Sequence, residues 1–339
     1  MKNLVLAFLT VATFSCNSTK EVASKMSRID YANSITAEDI KTQLYIIAGD
    51  AMEGRMTGSE GQKKAAAYIK DFYKNQGISS PDGIENYSQI IPETYFNRMK
   101  EPKPSENILA FIKGSEKPDE IIVLSAHYDH VGTDKDGNVF NGADDDGSGT
   151  VALMEMAKGF QKAVKDGNGP KRSILFLHVT GEEIGLYGSR YYTDNPVFPL
   201  ENTVVDLNTD MIGRIDPDKA NNPNYIYLIG SEKLSTELKQ VSEDVNKQYT
   251  NLELDYKYDD PNDKNRFYYR SDHYNFAKNN VPIIFYFNGV HEDYHKMTDT
   301  PDKIEYDLMT TRTRLIFQTA WEIANRENRI VVDKVDDKG

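Results

Sequence analysis

Imidazole and carboxylate side chains recur directly after apolar runs of the sequence. The candidate ligands among them are His127, Glu182, Glu183, Asp210 and His295. The apolar runs that precede them span residues 121–126, 174–179, 204–207 and 283–287. Ring nitrogens and carboxylate oxygens are ligands that Zn²⁺ and related metals accept. If the runs are neighbouring parallel strands, their ends meet at one edge of a sheet, which is where α/β proteins place their sites.

An acidic run adds three adjacent carboxylates to this set. The sequence reads GADDDGSG at residues 142–149, with Asp144, Asp145 and Asp146 at its centre. Adjacent carboxylates repel one another, so a buried cluster of them needs a cation or raised pKa values. A solvated acidic turn that caps the following helix is the alternative, and the run alone does not decide between the two.

The spacing of two carboxylate pairs predicts their local roles. Asp129 stands two residues after His127, where it can hold the second ring nitrogen of that histidine. Glu182 and Glu183 are neighbours at the end of a predicted strand, so their side chains point in different directions. One of them can therefore bind a metal while the other faces a reacting water.

Composition excludes several classes of protein. The chain has 339 residues and a net charge of −13, whereas a general nucleic-acid binder needs a basic face. Apolar residues make up 39% of the chain, which is enough to build a core. Cys16 is the single cysteine, so an intrachain disulfide and a cysteine-based zinc site are both excluded.

The pattern of elements predicts an α/β fold with one globular domain at residues 34–330. Continuous apolar runs at residues 107–112, 121–126, 174–179, 204–207, 225–229 and 283–287 predict strands covered on both faces. Helical patterns span residues 37–47, 61–75, 151–164, 235–249 and 306–326. Such alternation is typical of a largely parallel sheet between layers of helices.

The N-terminus is predicted to be a targeting signal for export. Residues 1–15 form a signal peptide, with Lys2 before a short apolar run, and Cys16 follows a small residue as in bacterial lipoproteins. An ordinary cleaved signal with an incidental cysteine is the alternative. We expect an exported protein that faces the periplasm or cell surface and touches a membrane only through a lipid anchor at Cys16. A polar tether at residues 16–33 and a polar tail at 331–339 flank the domain.

Five motifs occur together in one order. They are HYD at residues 127–129, GADDDGSG at 142–149, EEIGLYGS at 182–189, LNTDM at 207–211 and YH at 294–295. In this order and spacing, residues 44–324 resemble the di-zinc aminopeptidase family of zinc exopeptidases, which includes bacterial leucyl aminopeptidase and aminopeptidase Y. The resemblance implies a phosphorylase/hydrolase-like fold, a three-layer αβα sandwich around a mixed, mainly parallel sheet.

The resemblance also implies two Zn²⁺ per chain and a role for each motif residue. It makes Asp145 the bridge between the ions, with His127 and Asp210 completing one site and Glu183 and His295 the other. It makes Glu182 the general base, Asp129 the group that orients His127, and the Asp145–Asp146 peptide bond cis. His273, Tyr274 and Tyr294 are expected in the substrate pocket, and His130, His178 and His291 are expected to be structural.

The implied function is an exported zinc-dependent aminopeptidase that hydrolyses N-terminal residues from peptides by a metal-activated water. A glutaminyl cyclase of the same fold is an alternative, although that branch usually carries tryptophan where Tyr294 stands. A catalytically inert surface receptor is a second alternative, disfavoured because every expected ligand is present. A carboxypeptidase is a further alternative within the same family, because the metal site is shared, although those relatives usually carry an insertion for which the residues before His127 leave no room. Neither the preferred N-terminal residue nor the oligomeric state follows from the sequence.

Overall fold

A mixed eight-stranded sheet forms the centre of the molecule. The computed structural model describes residues 26–335, so the predicted signal peptide and Cys16 lie outside the described residues. The strands are β1 (Ser88–Ile91), β2 (Ser105–Ile112), β3 (Lys117–His127), β4 (Arg172–Val179), β5 (Thr203–Thr209), β6 (Tyr225–Ile229), β7 (Glu253–Asp255) and β8 (Ile283–Phe287). Their order across the sheet is β1-β2-β4-β3-β5-β8-β6-β7.

The middle of the sheet is parallel and its margins are mixed. β3 pairs in parallel with β4 and β5, and β5 pairs in parallel with β8. β2 pairs with β1 and β4 in the antiparallel sense, and β6 pairs antiparallel to β8. The carboxyl ends of the four central strands therefore meet at one edge, as the apolar runs predict.

Helices cover both faces of this sheet. They are α1 (Arg28–Asn33), α2 (Ala37–Ile47), α3 (Glu60–Gln76), α4 (Gly149–Lys165), α5 (Tyr187–Asp194), α6 (Thr236–Tyr249), α7 (His273–Ala277) and α8 (Tyr306–Asn325). On β3, Ile122 and Leu124 pack into the core shared with α1–α4, α6 and α8. Ile121 and Val123 point to the opposite core, which α5 and α7 close. The predicted three-layer α/β sandwich is confirmed.

The structure departs from the sequence prediction at the margins. β1 and β7 were not predicted, because they are short edge strands with exposed or half-buried positions. The predicted tether at residues 16–33 is too long, since α1 lies within it. Ser27 caps this helix, and Tyr31 is fully buried against Trp321, with ring centroids 5.5 Å apart. Across residues 26–335, no helix has both the length and the apolar character needed to cross a bilayer.

Candidate metal centre

The candidate ligands come together at the carboxyl edge of the parallel strands. His127 is the last residue of β3, and Asp210 directly follows β5. Glu182 and Glu183 lie on the loop after β4, and His295 lies on the loop after β8. Each strand therefore delivers a side chain to the same place, and the intervening helices hold the strands in register.

His127, Asp145 and Asp210 form the first of two groups. His127 Nε2 lies 3.3 Å from Asp145 Oδ1 and 3.6 Å from Asp210 Oδ1. One ligand atom from each residue lies within 4.8 Å of the other two, and all three residues are buried. One nitrogen and two carboxylate oxygens in this arrangement can surround a zinc ion and leave a position open.

The second group contains Asp145, Glu183 and His295. His295 Nε2 lies 2.9 Å from Asp145 Oδ2 and 3.0 Å from Glu183 Oε2. His130, which the sequence predicts to be structural, also belongs here, since its Nδ1 lies 2.7 Å from Glu183 Oε1 and 3.8 Å from Asp145 Oδ2. The structure thus adds a buried imidazole to the predicted set.

Asp145 is the residue common to both groups. Its Oδ1 faces His127, and its Oδ2 faces His295. The Asp145–Asp146 peptide bond is cis, which confirms that prediction. The carboxylate therefore has one oxygen directed to each group, which is the geometry that a bridging ligand requires.

Buried atoms without hydrogen-bond partners test whether a metal fits here. Within residues 26–335, His130 Nδ1, Asp145 Oδ2 and Glu183 Oε1 are all buried and lack a partner with acceptable geometry. Buried polar atoms are normally paired, because an unpaired one costs free energy. The three atoms converge on the second group, so an ion held between them would satisfy all three. The donor set of imidazoles and carboxylates suits zinc.

Glu182 lies beside these groups without contributing to either. In the protein without bound metal, its partly buried position raises the pKa of Glu182 well above its ordinary value, and repulsion from Asp210 and Glu183 raises that pKa further. Burial would also raise the pKa of Glu183, but the imidazoles of His130 and His295, 2.7 and 3.0 Å from its carboxylate oxygens, hold that pKa below its ordinary value. Glu182 thus has the raised pKa that is typical of a proton carrier, whereas Glu183 has the lowered pKa that is typical of a metal ligand.

Asp129 plays a broader part than predicted. Its carboxylate lies 3.7 Å from His127 Nδ1, whereas the Nδ1–H donates to the backbone oxygen of Asp129 at 3.1 Å. The carboxylate instead accepts hydrogen bonds from the Thr57 hydroxyl at 2.8 Å and the Glu182 N–H at 3.2 Å. Burial raises the pKa of Asp129 to about 6. The predicted orientation of His127 thus comes from the Asp129 main chain, and the side chain fixes the Glu182 loop.

The two neighbours of Asp145 in the acidic run accept hydrogen bonds from backbone N–H groups. Asp146 accepts the N–H groups of His127, at 3.2 Å, and Met211, at 3.1 Å. Asp144 accepts a backbone N–H from the loop after β5 at 2.6 Å. The run is therefore a buried structural unit and not a solvated turn, and Asp145 alone is directed toward both ligand groups.

A pocket opens beside Glu182. Its apolar walls come from Met211, Phe267, Phe285, Phe287, Val290 and Tyr294, and Asp145, Asp210 and Arg270 complete the lining. Tyr294 lies in the wall of this pocket, and its contact with substrate stays a prediction.

His273 and Tyr274 lie behind the pocket wall, contrary to the prediction. His273 is fully buried, donates from Nε2 to the Tyr268 carbonyl at 2.7 Å, and stacks on Phe285 at 4.7 Å. Tyr274 packs its ring against Tyr269 at 5.0 Å. His273 thus supports the pocket wall through Phe285, and Tyr274 packs against Tyr269, which lies outside the residues that line the pocket.

Two other histidines have the structural positions that the sequence analysis gives them. His178 is buried on β4, where its Nε2 lies 2.6 Å from the Tyr73 hydroxyl. His291 is buried on the loop after β8 and lies 3.1 Å from Asp144 Oδ2. Neither joins the two ligand groups.

Curated proteins with similar sequences are zinc metalloproteases and aminopeptidases. A protein named probable zinc metalloprotease from Pyrenophora teres f. teres is 34% identical over 142 residues, which are 40% of this chain and 27% of that protein. Aminopeptidase YwaD of Bacillus subtilis is 32% identical over 139 residues, which are 40% of this chain and 28% of that one. The chain thus matches little more than a quarter of the length of these relatives.

Solved structures share the fold at low sequence identity. LapA aminopeptidase of Legionella pneumophila superposes with a TM-score of 0.67 at 18% identity, covering 91% of this chain and 77% of that one. Glutaminyl cyclase of Porphyromonas gingivalis superposes with a TM-score of 0.64 at 16% identity, covering 84% of this chain and 97% of that one. The same architecture therefore accompanies two different reactions, so the likeness speaks to the fold.

The family itself is decided by the part of the sequence that carries the site. Residues 107–320, more than half of the chain, match the model of Peptidase family M28. This stretch runs from β2 into α8 and includes the residues of both ligand groups, Glu182 and the pocket. The chain therefore belongs to Peptidase family M28.

Proposed function

We propose that this chain is a zinc-dependent aminopeptidase that removes N-terminal residues from peptides with a free N-terminus. The observation that carries the proposal is the position of Asp145. Its two carboxylate oxygens face two separate groups of ligands, and Glu182 lines the pocket directly beside them. A bridged pair of metal sites next to an unbound carboxylate suits hydrolysis of an amide bond.

Two zinc ions would be held by residues already in place. His127, Asp145 and Asp210 would hold one ion, and Asp145, Glu183 and His295 would hold the other. When bound, the ions would supply Lewis-acid chemistry, which polarises a substrate carbonyl and makes water more acidic. His130 would add a nitrogen at the second site, since its Nδ1 lies 2.7 Å from Glu183 Oε1.

Glu182 would move the proton. Burial raises the pKa of Glu182 in the protein without bound metal, which makes its carboxylate a stronger base than that of an ordinary solvated glutamate. This carboxylate would accept a proton from the attacking water. The same carboxyl group can then return that proton to the departing amine. The hydrogen bond from the Glu182 N–H to Asp129 fixes the backbone from which this side chain acts.

The pocket would receive the side chain of the N-terminal residue. Phe267, Phe285 and Phe287 are largely buried and form apolar walls of this pocket. Burial of a side chain here would hold the adjacent peptide bond beside Glu182 and Asp145.

A panel of aminoacyl 7-amido-4-methylcoumarins tests this proposal. We expect the purified chain without residues 1–15 to release the fluorophore, to lose activity in 1,10-phenanthroline, and to regain it with Zn²⁺. Glu182→Gln, which keeps the shape of the side chain but cannot accept the proton, is the matched inactive control. Absence of any zinc-dependent release would contradict the proposal. Conversion of glutaminyl peptides to pyroglutamyl products without such release would favour the glutaminyl cyclase alternative.

We further propose that the protein is exported and anchored by lipid at Cys16. The support is the apolar run at residues 4–14, followed by a small residue and the single cysteine. Radiolabelled palmitate should be incorporated into the wild-type chain in bacteria and not into Cys16→Ser. An unlabelled wild-type chain recovered in the medium would favour an ordinary cleaved signal, and an unlabelled cytoplasmic chain would contradict export.

A further inference from the structure

Arg270 is the one basic residue among the described residues that line the pocket. The other charged lining residues are Asp145, Glu182 and Asp210, which the proposed function assigns to metal binding and proton transfer. Phenylalanine, methionine and valine side chains supply most of the remaining surface. A single cation at the edge of such a pocket favours substrate side chains of opposite charge and disfavours those of like charge.

The backbone that carries Arg270 is held on both sides. The Arg270 N–H donates to the Phe267 carbonyl at 3.0 Å, and the next residue, Ser271, donates its hydroxyl to Asp210 Oδ2 at 2.6 Å. His273 supports the same segment from below through the Tyr268 carbonyl. The position of Arg270 relative to the metal ligand Asp210 is therefore fixed by short local contacts.

The guanidinium of Arg270 has no acidic partner. Across residues 26–335, it forms no ion pair with a carboxylate, and it lies over the ring of Phe267, with 5.1 Å from the guanidinium carbon to the ring centroid. The side chain is exposed. Arginine donates in a planar fork that matches a carboxylate, and stacking on an aromatic ring leaves the edge of that fork free.

We propose that Arg270 is a specificity-determining residue that selects substrates with an acidic N-terminal residue, aspartate or glutamate. This inference rests on the proposed function. The methylene groups of such a side chain would pack against the apolar walls, and its carboxylate would meet the guanidinium at the rim. Lysine and arginine side chains would be disfavoured, because they would bring a second positive charge to Arg270.

A substrate carboxylate can come from two sources, and we assign it to the N-terminal side chain. The reason is that Arg270 lines the same pocket as Phe285 and Phe287, which would enclose that side chain. The other source is the C-terminal carboxylate of a dipeptide, which belongs to the departing portion of the substrate. Amide-linked fluorophores lack a C-terminal carboxylate, so they separate the two.

The test compares kcat/KM for Glu-, Gln-, Leu- and Lys-7-amido-4-methylcoumarin with zinc-loaded protein. We expect kcat/KM for the glutamate substrate to exceed that for its isostere glutamine by about two- to fivefold, because water screens a charge pair with an exposed side chain. Arg270→Gln should bring the glutamate-to-glutamine ratio of kcat/KM close to one and raise kcat/KM for the lysine substrate relative to the leucine substrate. Arg270→Lys should retain part of the preference for glutamate. Arg266→Gln is the matched control, because Arg266 lies on the same segment but stacks on Tyr269, at 4.7 Å, outside the pocket.

Two results would overturn the inference. The first is a glutamate-to-glutamine ratio near one in the wild type, or a high ratio that Arg270→Gln leaves unchanged. The second is a change confined to dipeptides, in which Arg270→Gln loses a preference for Leu-Gly over Leu-Gly-amide but keeps the glutamate-to-glutamine ratio. That result would show that Arg270 binds the C-terminal carboxylate of the substrate instead. Failure of the wild type to cleave any of these substrates would count against the proposed function, whereas cleavage without charge selection would overturn the role of Arg270 alone.

Discussion

Replacement of Arg55 by methionine is predicted to destabilise the protein more than any ordinary surface change. The Arg55 guanidinium is fully buried and donates to four backbone carbonyls. These carbonyls belong to Ile47, Tyr128, Asn141 and Gly142, at distances from 2.7 to 2.9 Å. The side chain thus ties the end of α2 to the loop after His127 and to the residues before the acidic run.

The size of the effect follows from these contacts. A hydrogen bond to a charged group contributes about 1.5–3 kcal/mol net, and removal of one partner of a buried charged group costs about 3–5 kcal/mol. Burial lowers the pKa of Arg55, and attraction to Asp145 and Asp129 opposes that shift. Methionine would fill the volume but leave the four carbonyls unpaired, and water entering the site would relieve part of the cost. We therefore expect a loss of roughly 4 kcal/mol in the free energy of unfolding.

Urea denaturation in the presence of a chelator measures this loss without a contribution from metal binding. Arg314→Met is the matched control, because Arg314 is partly exposed and donates only to the carbonyls of Ile35 and Asn33. We expect the control to lose under about 1 kcal/mol. Arg55→Lys, which keeps the charge but not the fork of donors, should fall between the two. Equal losses for Arg55→Met and Arg314→Met would refute the reasoning.

Three further predictions concern proton transfer, the added ligand and pH. Glu182→Gln should lose about 10²–10⁴-fold in kcat and keep its zinc, because only the proton carrier is removed; a fall in zinc measured by mass spectrometry would contradict this role. His130→Asn should weaken zinc binding in a chelator competition, and unchanged affinity would make its contact with Glu183 incidental. Burial raises the pKa of Asp259 from 3.8 to about 6. The native state therefore holds this proton more tightly than the unfolded state, so stability should fall as the pH rises through this range. Asp259→Asn should reduce that fall in urea denaturation, and an identical pH dependence in both proteins would count against it.

The central strands could be predicted from sequence because burial on both faces leaves a continuous apolar run. β6 and β8 occupy the predicted residues 225–229 and 283–287 without any shift. β7 has only three residues, all exposed or half-buried, so nothing in its composition distinguishes it from a loop. α1 was missed for a related reason, since its six residues include one large buried side chain, Tyr31, whose partner Trp321 is distant in sequence.

The candidate ligands could be predicted because each lies next to a strand end, and the order of the strands brings those ends together. The contacts that His130 and Asp129 make in the structure could not be predicted. His130 stands in the same loop as His127, but its approach to Glu183 depends on how the loop after β4 folds back. Asp129 accepts a hydrogen bond from Thr57, which is 72 residues away in sequence, and no local sequence pattern predicts such a contact. The position of Arg270 could not be predicted for the same reason, because only the packing of the 267–270 segment places it in the pocket wall.

The central claim is that Asp145 bridges two zinc ions beside Glu182. Anomalous diffraction at the zinc absorption edge, from crystals of the zinc-loaded protein, tests it most directly. We predict two peaks, one between His127 and Asp210 and one between Glu183 and His295, with one oxygen of Asp145 on each. A single peak, or two peaks of which only one contacts Asp145, would contradict the account.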